Sequence, residues 1–239
     1  HPALKGRKLR YRSFHKKGNK PGPADHGTAV AAILVGTPEW GGLLPGAELL
    51  AANMFQEKPS GDVVGNALGL LKAVNWMAKE KVKVLNLSVA GGNNKVVLKA
   101  FKKALDRGMI LIAASGNWGE KGKPAYPAAY DFVIAVTAFG SKKLIYSHAN
   151  RGRYVDFAAP GVRLWTAVPG GGGRFQSGTS FASPYIAVMV AMGLARGKVS
   201  NAGPDKIRDI LRSRAVDLGA TGRDNVFGWG FVNLPPDCR

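Results

Sequence analysis

Four short segments of this sequence carry side chains able to do chemistry: Asp25-His26-Gly27-Thr28, Asn86-Leu87-Ser88-Val89-Ala90-Gly91, Ser115-Gly116-Asn117 and Gly178-Thr179-Ser180-Phe181-Ala182-Ser183-Pro184. A histidine can take up and return a proton near neutral pH. A serine hydroxyl can attack a carbonyl once a neighbouring base accepts its proton. An asparagine amide can donate to an oxygen that gains negative charge. Each segment also has a plainer role when taken singly. His-Gly suits a loop or helix cap, Gly-Asn after a strand suits a turn, and Gly-Thr-Ser ahead of an apolar run suits an N-cap whose hydroxyl accepts first-turn amides.

What must position them is an alternation of helices and buried strands. From Asp62 on, Val64, Leu68, Leu71, Val74 and Ala78 recur at three- and four-residue steps, predicting an amphipathic helix that starts near Ser60, Gly61 and Asp62. Val82 to Val89 then reads as a buried strand stopped by Gly91, Gly92, Asn93 and Asn94. Val97, Phe101 and Ala104 share a second helical face with Gly108 as its C-cap, and Met109 to Ala114 follows as an apolar strand. Phe132 to Phe139 and Tyr154 to Ala158 are further strand candidates, and a last helix runs from Pro204 through Ile207, Ile210 and Leu211. Strands apolar on both faces and separated by helices indicate βαβ units, hence an α/β fold with a mostly parallel sheet. In such sheets ligands gather at the carboxyl ends of strands. The Asn117 segment follows Met109–Ala114, and a helix begins near Thr179 after the glycines 170 to 173.

The chain has 239 residues, a size suited to one α/β domain with its own core. Hydrophobic residues at 46% and charged residues at 21% exclude disordered, fibrous and coiled-coil classes. The single cysteine, Cys238, allows neither an intrachain disulfide nor a thiolate zinc site. No secretory leader opens the sequence, and its longest apolar stretch, Ala182 to Ala195, is too short to span a bilayer and contains Pro184. The net charge of +19 predicts attraction to anionic surfaces or substrates. Much of it lies in residues 5 to 20, which read as an exposed basic loop, either simply solvated or recruiting acidic peptides or an anionic cell envelope. That stretch lacks the interleaved aromatics of a nucleic-acid module, so no specific nucleic-acid partner is expected.

Taken together and in this order, the four segments resemble the subtilisin-like serine peptidases (subtilases), with their His-Gly-Thr, Ser-x-Gly, Ala-Ala-x-Gly-Asn and Gly-Thr-Ser-x-Ala-x-Pro patterns. The resemblance runs from His1 to about Leu234 and includes Tyr126-Pro127-Ala128, Ala159-Pro160-Gly161 and Gly228-Trp229-Gly230. It implies a three-layer subtilisin-like α/β fold and a single peptidase domain over residues 1–239, incomplete at its N-terminus. It also implies a serine endopeptidase that works without an organic cofactor on polypeptide substrates. Ser180 would be the nucleophile, His26 the general base and then acid, and Asn117 an oxyanion donor together with the Ser180 N–H. Ser88, Val89 and Ala90 would pair with the extended substrate backbone, and Ala114, Ser115 and Gly116 would line the side-chain pocket. A secreted, periplasmic or cell-envelope location is expected on the resemblance alone.

Departures from the pattern shape the expectations. The family's orienting aspartate sits in Asp-Thr-Gly or Asp-Ser-Gly, ahead of His-Pro-x-Leu; this sequence contains neither motif, and His1-Pro2-Ala3-Leu4 opens it. The sequence is therefore read either as part of a larger peptidase or as a piece completed by a separate N-terminal segment or propeptide. Without that strand, two neighbouring strands would keep unpaired edges, and an aggregation-prone chain is expected. The competing class is a catalytically silent binding or scaffold protein; the joint presence of Ser180, His26 and Asn117 argues against it. Ala29, Ala90 and Tyr185 replace a family histidine, glycine and histidine without removing a reacting group. Ala3 stands at a family calcium ligand, and residues 32 to 44 offer only Glu39, so the usual structural calcium site looks degraded. His1, His15 and His148 have no metal-ligand spacing.

Overall fold

The computed structural model describes residues 1–199 and 202–233, so Cys238 and the Leu234 limit of the family resemblance lie outside the described residues. The chain gathers into two compact units. One comprises His1–Val82, Asn94–Arg107 and Trp165–Arg174; the other comprises Lys83–Asn93, Gly108–Leu164 and the described residues from Phe175 on.

In the first unit the basic stretch is not the loop that its composition predicts. It contains strand β1 (Leu9–Ser13) and the short β2 (Lys20–Pro21). Arg10 pairs with Glu48 at 3.1 Å and Glu80 at 3.0 Å, while the Arg12 guanidinium lies 4.9 Å from the centre of the Trp76 ring. These neighbours, remote in sequence, let a charged segment lie flat as a strand. Helix α1 (Asp25–Val35) follows, with Asp25 at its positive N-terminal end and Ala29 to Ile33 buried. β1 runs parallel to β3 (Leu49–Asn53), Leu9 facing Leu49 and Ser13 facing Asn53. β2, β4 (Phe55–Glu57) and β5 (Val63–Gly65) form a separate antiparallel sheet.

The next helix, α2 (Ala67–Lys79), begins later than Ser60–Asp62. Residues 63 to 65 are taken up by pairing with β4, where Gln56 faces Val64, so tertiary pairing overrides the helical periodicity there. The second predicted helix is present in this unit as α3 (Lys95–Asp106); the Asn94 carboxamide oxygen accepts the N–H groups of Val96 and Val97 at its start.

The second unit is built on a six-stranded sheet in the order β12-β13-β9-β8-β7-β6. Its strands are β6 (Val84–Leu87), β7 (Ile110–Ala114), β8 (Ile134–Phe139), β9 (Phe157–Pro160), β12 (Ala215–Val216) and β13 (Phe231–Val232). All neighbours run parallel except the antiparallel β12. Every residue of β7 and β8 is buried, as continuous apolar strands of a covered parallel sheet should be. Helix α4 (Thr179–Ala195) packs across β6 to β9; it is apolar nearly all round and buries Phe181, Ile186, Val188 and Val190. Helix α5 (Pro204–Arg212) carries Pro204 in its first turn, as the sequence predicts. Two further strands, β10 (Leu164–Ala167) and β11 (Gly173–Gln176), flank the glycine run, where the Val168 N–H bonds to the Gly172 carbonyl at 3.0 Å.

Among the described residues β3 pairs only with β1, and β6 ends its sheet with β7 as its one partner, so each keeps an unpaired edge. The second unit also buries a charge cluster. Asp156, almost fully buried, accepts the Ala135 N–H at 2.9 Å and meets Arg208 at 3.1 Å and Arg223 at 3.5 Å. Burial pushes its carboxyl pKa up, and the two guanidinium groups pull it back only in part.

Candidate active site

β7 ends at Ala114, and the chain turns through Ser115, Gly116 and Asn117. Gly116 has φ +103°, and a Cβ there would lie 2.8 Å from the Ala125 Cβ and 2.9 Å from Asn150 Cγ, so the turn requires glycine. The Gly116 N–H donates to Thr179 Oγ1 at 3.2 Å, and the Thr179 hydroxyl donates in turn to Asn117 Oδ1 at 2.9 Å. The Thr179 N–H reaches the same Asn117 oxygen at 3.0 Å. Both contacts fall on the amide oxygen, so the Asn117 carboxamide is fixed with its Nδ2 donor facing away from Thr179. Asn117 is exposed, and the half-buried Ser180 follows Thr179 as the second residue of α4. The first amides of a helix lack intrahelical acceptors, so the Ser180 N–H has no acceptor within its own helix.

This arrangement corrects the N-cap reading of Gly-Thr-Ser. The N-cap is Gly178, and no side chain caps the helix. The Thr179 hydroxyl is engaged with Asn117 instead. Replacing Thr179 by valine keeps the shape and removes the hydroxyl relay. Two hydrogen bonds are lost, the one accepted from the Gly116 N–H and the one given to Asn117 Oδ1, which predicts a stability loss of about 1–3 kcal/mol, while Thr179→Ser keeps both. Equilibrium unfolding in urea checks both variants.

Ser88, Val89 and Ala90 follow β6, and among the described residues their backbone groups make no backbone–backbone hydrogen bond outside the sheet ladder. The edge ends at Gly91, which exchanges two bonds with Tyr126 at 2.8 and 3.0 Å. The Ser88 hydroxyl, however, is turned to the protein, 2.7 Å from the Ser180 carbonyl. Ala114, Ser115 and Gly116 are buried, and the Ser115 carbonyl accepts the Tyr154 hydroxyl at 2.7 Å. Burial pushes the Tyr154 phenol pKa up, so it remains a donor. Asn150, fully buried, organises the loop beyond Asn117: its N–H donates to the Gly116 carbonyl at 3.0 Å, its Oδ1 accepts from Trp118 N–H at 2.7 Å, and its Nδ2 donates to the Lys123 carbonyl at 2.9 Å.

His26 belongs to the first unit, as the second residue of α1. Its side of the helix is exposed, yet the protein mass around the ring desolvates it and lowers the imidazole pKa from the ordinary 6.5. Asp25, beside it in sequence, lies 3.8 Å from Arg174. The helix is held from below: Ala29 is fully buried, and its carbonyl accepts the Thr166 hydroxyl at 3.1 Å.

The residues at the family calcium position do not fit a hard cation. Ala3 is fully buried and brings only a methyl group, and the Glu39 carboxylate is already held by the Thr37 hydroxyl. Among the described residues no three His, Cys, Asp or Glu side chains gather as a metal site.

Ser180, Asn117 and Ser88 are thus brought together in one unit. Thr179, Tyr154 and Asn150 belong to the same site and were missed from sequence. Thr179 alone had a signal, its place between Gly178 and Ser180; the others act through partners that only the fold supplies.

Comparison with known proteins follows the same outline. The sequence model of the Subtilase family matches residues 1–230. The Minor extracellular protease Epr of Bacillus subtilis (strain 168) is 34% identical over 228 residues, covering 93% of this chain and 33% of that protein. Subtilisin Savinase of Lederbergia lenta is 34% identical over 218 residues, covering 90% of this chain and 77% of its own. The chain therefore spans about a third of the first relative's length and about three quarters of the second's. Among solved structures, Sphericase superposes with a TM-score of 0.82 at 25% identity, over 98% of this chain and 87% of that one. A cold adapted subtilisin-like serine proteinase gives a TM-score of 0.81 at 24% identity, a likeness of fold.

Proposed function

The chain belongs to the subtilase family, and from that premise we propose that it is a serine endopeptidase domain that hydrolyses peptide bonds through an acyl-enzyme on Ser180. The observation that carries the reading is the fixed Asn117 carboxamide, whose oxygen is tied to Thr179 so that its Nδ2 donor is left for a reacting oxygen. In the proposed reaction Ser180 Oγ bonds to the substrate carbonyl carbon while its proton passes to His26. Negative charge collects on the former carbonyl oxygen, where Asn117 Nδ2 and the Ser180 N–H donate. The C–N bond then breaks, and the amine leaves with the proton from His26. Water repeats the attack on the ester, giving its proton to His26, which passes it to Ser180 Oγ as the acyl C–O bond breaks and the carboxylic acid leaves.

Val89 and Ala90 hold the substrate backbone by strand addition, and Ala114 to Gly116 wall its side-chain pocket. Orientation of the His26 ring falls, by the family pattern, to an aspartate in a segment that this sequence does not contain. The extracellular description of Epr supports secretion, and no helix among the described residues is long and apolar enough to cross a membrane.

Labelling of the chain with a fluorophosphonate probe tests the reading, with the modified residue mapped by peptide mass spectrometry. Modification of Ser180 that disappears in His26→Ala supports it. A folded chain that takes up no probe refutes catalysis by this polypeptide and leaves a peptide-binding module. The pH dependence has a defined sign. His26 must be neutral to accept the proton, and desolvation disfavours its charged form, so labelling rises with pH to a plateau through a midpoint below 6.5. A midpoint above that value contradicts the assignment of His26 as the base.

A further inference from the structure

Helix α4 contains Pro184 inside its span Thr179–Ala195. A proline at that position lacks the N–H that would bond to the carbonyl four residues earlier, and its ring crowds that same carbonyl. The carbonyl in question is that of Ser180. It is not left without a donor, because the Ser88 hydroxyl donates to it at 2.7 Å. Ser88 is itself held in place. Asn86 Nδ2 donates to its oxygen at 2.9 Å, and Ser183 Oγ, fully buried, lies 3.2 Å away.

We propose that Ser88 is a positioning residue: its hydroxyl supplies the hydrogen bond that Pro184 removes from the first turn of α4, and so fixes the backbone that carries Ser180. The arrangement has a chemical logic. A carbonyl engaged by an ordinary helical N–H would be tied only to its own helix, whereas this one is tied to the end of β6. The nucleophile is thereby held in register with residues 88 to 90, the segment that receives the substrate backbone. The inference rests on the peptidase reading for its kinetic readout and on the helix geometry alone for its structural one.

A double-substitution cycle tests it in the full chain. Alanine at Pro184 restores an N–H in reach of the Ser180 carbonyl, so Ser88→Ala and Pro184→Ala should compensate one another. Amide exchange over residues 178–188, followed by mass spectrometry, should quicken about tenfold in Ser88→Ala, the scale of one hydrogen bond, and return to the wild-type rate in Ser88→Thr and in Ser88→Ala/Pro184→Ala. The limiting rate of fluorophosphonate labelling should fall and recover in the same pattern, while the half-saturating probe concentration stays constant. Pro184→Ala alone should match wild type in both. Wild-type exchange in Ser88→Ala overturns the proposal, and so does a double variant no better protected than the single one. Changed exchange with unchanged labelling overturns the positioning role. Should Ser88→Ala fail to fold, recovery of folding in the double variant supports the proposal and its absence counts against it. If the wild-type chain takes up no probe, the peptidase reading falls, and the exchange cycle still decides whether Ser88 closes the turn.

Discussion

Replacing Asn117 by alanine should lower turnover about 10²- to 10³-fold, or about 2.7–4 kcal/mol of transition-state stabilisation, the scale seen when a single oxyanion donor is removed from a subtilisin. The loss should fall on kcat and leave KM near its starting value, because the donor meets full negative charge only in the tetrahedral species. The structure adds a second expectation. Asn117 Oδ1 accepts from both the N–H and the hydroxyl of Thr179. An aspartate at 117 would keep those acceptor contacts while presenting an anion where the oxyanion forms, so Asn117→Asp should be slower than Asn117→Ala. Rates on a peptide substrate, or limiting rates of phosphonate labelling, order the three proteins. An Asn117→Ala variant within threefold of wild type would remove Asn117 from the mechanism.

The second large effect concerns stability. Asp156→Ala should destabilise the fold by about 3–5 kcal/mol, the usual result of removing one partner from a buried ion pair. Arg208 is only 16% exposed in its side chain and would lose its carboxylate, and the Ala135 N–H would lose its acceptor. For a chain of this size that loss corresponds to a melting point lower by about 6–20 °C. Asp156→Asn, which keeps an acceptor for Ala135, should lose less.

The pH trend follows from the raised carboxyl pKa. The folded state holds the proton more tightly than the unfolded chain does. The proton-linked part of the Asp156 contribution is therefore fully present below the ordinary carboxylate value and falls as pH rises through the folded pKa, whereas its pairing with Arg208 needs the ionised form. Thermal unfolding of the three proteins across that range separates lost pairing from lost charge. Equal melting points at all pH values would show that the cluster does not support the fold.

Much of the architecture is legible in the sequence because it depends on local pattern. Ile110–Ala114 and Ile134–Phe139 are continuous apolar runs and form buried parallel strands. The Pro204 helix carries its own start signal. β1 is illegible for the opposite reason. Leu-Arg-Tyr-Arg-Ser has the charge of a loop, and it becomes a strand through β3, Glu48, Glu80 and Trp76, all distant along the chain. Val63–Gly65 carried a helical period and lost to pairing with β4. At the candidate site the side chains proposed to react are marked by their motifs. The contacts that aim them are not, because Thr179 meets Asn117 across 62 positions and Ser88 meets Ser180 across 92.

Asn150 separates two properties that a loop usually couples, the placement of its base and the composition of its tip. Through Gly116, Trp118 and Lys123 it holds both ends of the turn that follows Asn117, using backbone groups alone on the partner side. Trp118, half exposed, sits on the rim of that turn. Side chains at 118, 120 and 121 can therefore be exchanged without touching the bonds that set the donor. The rim of that turn is a place where side chains can be rewritten, by selection or by an engineer, while the hydrogen bonds beneath it keep their geometry.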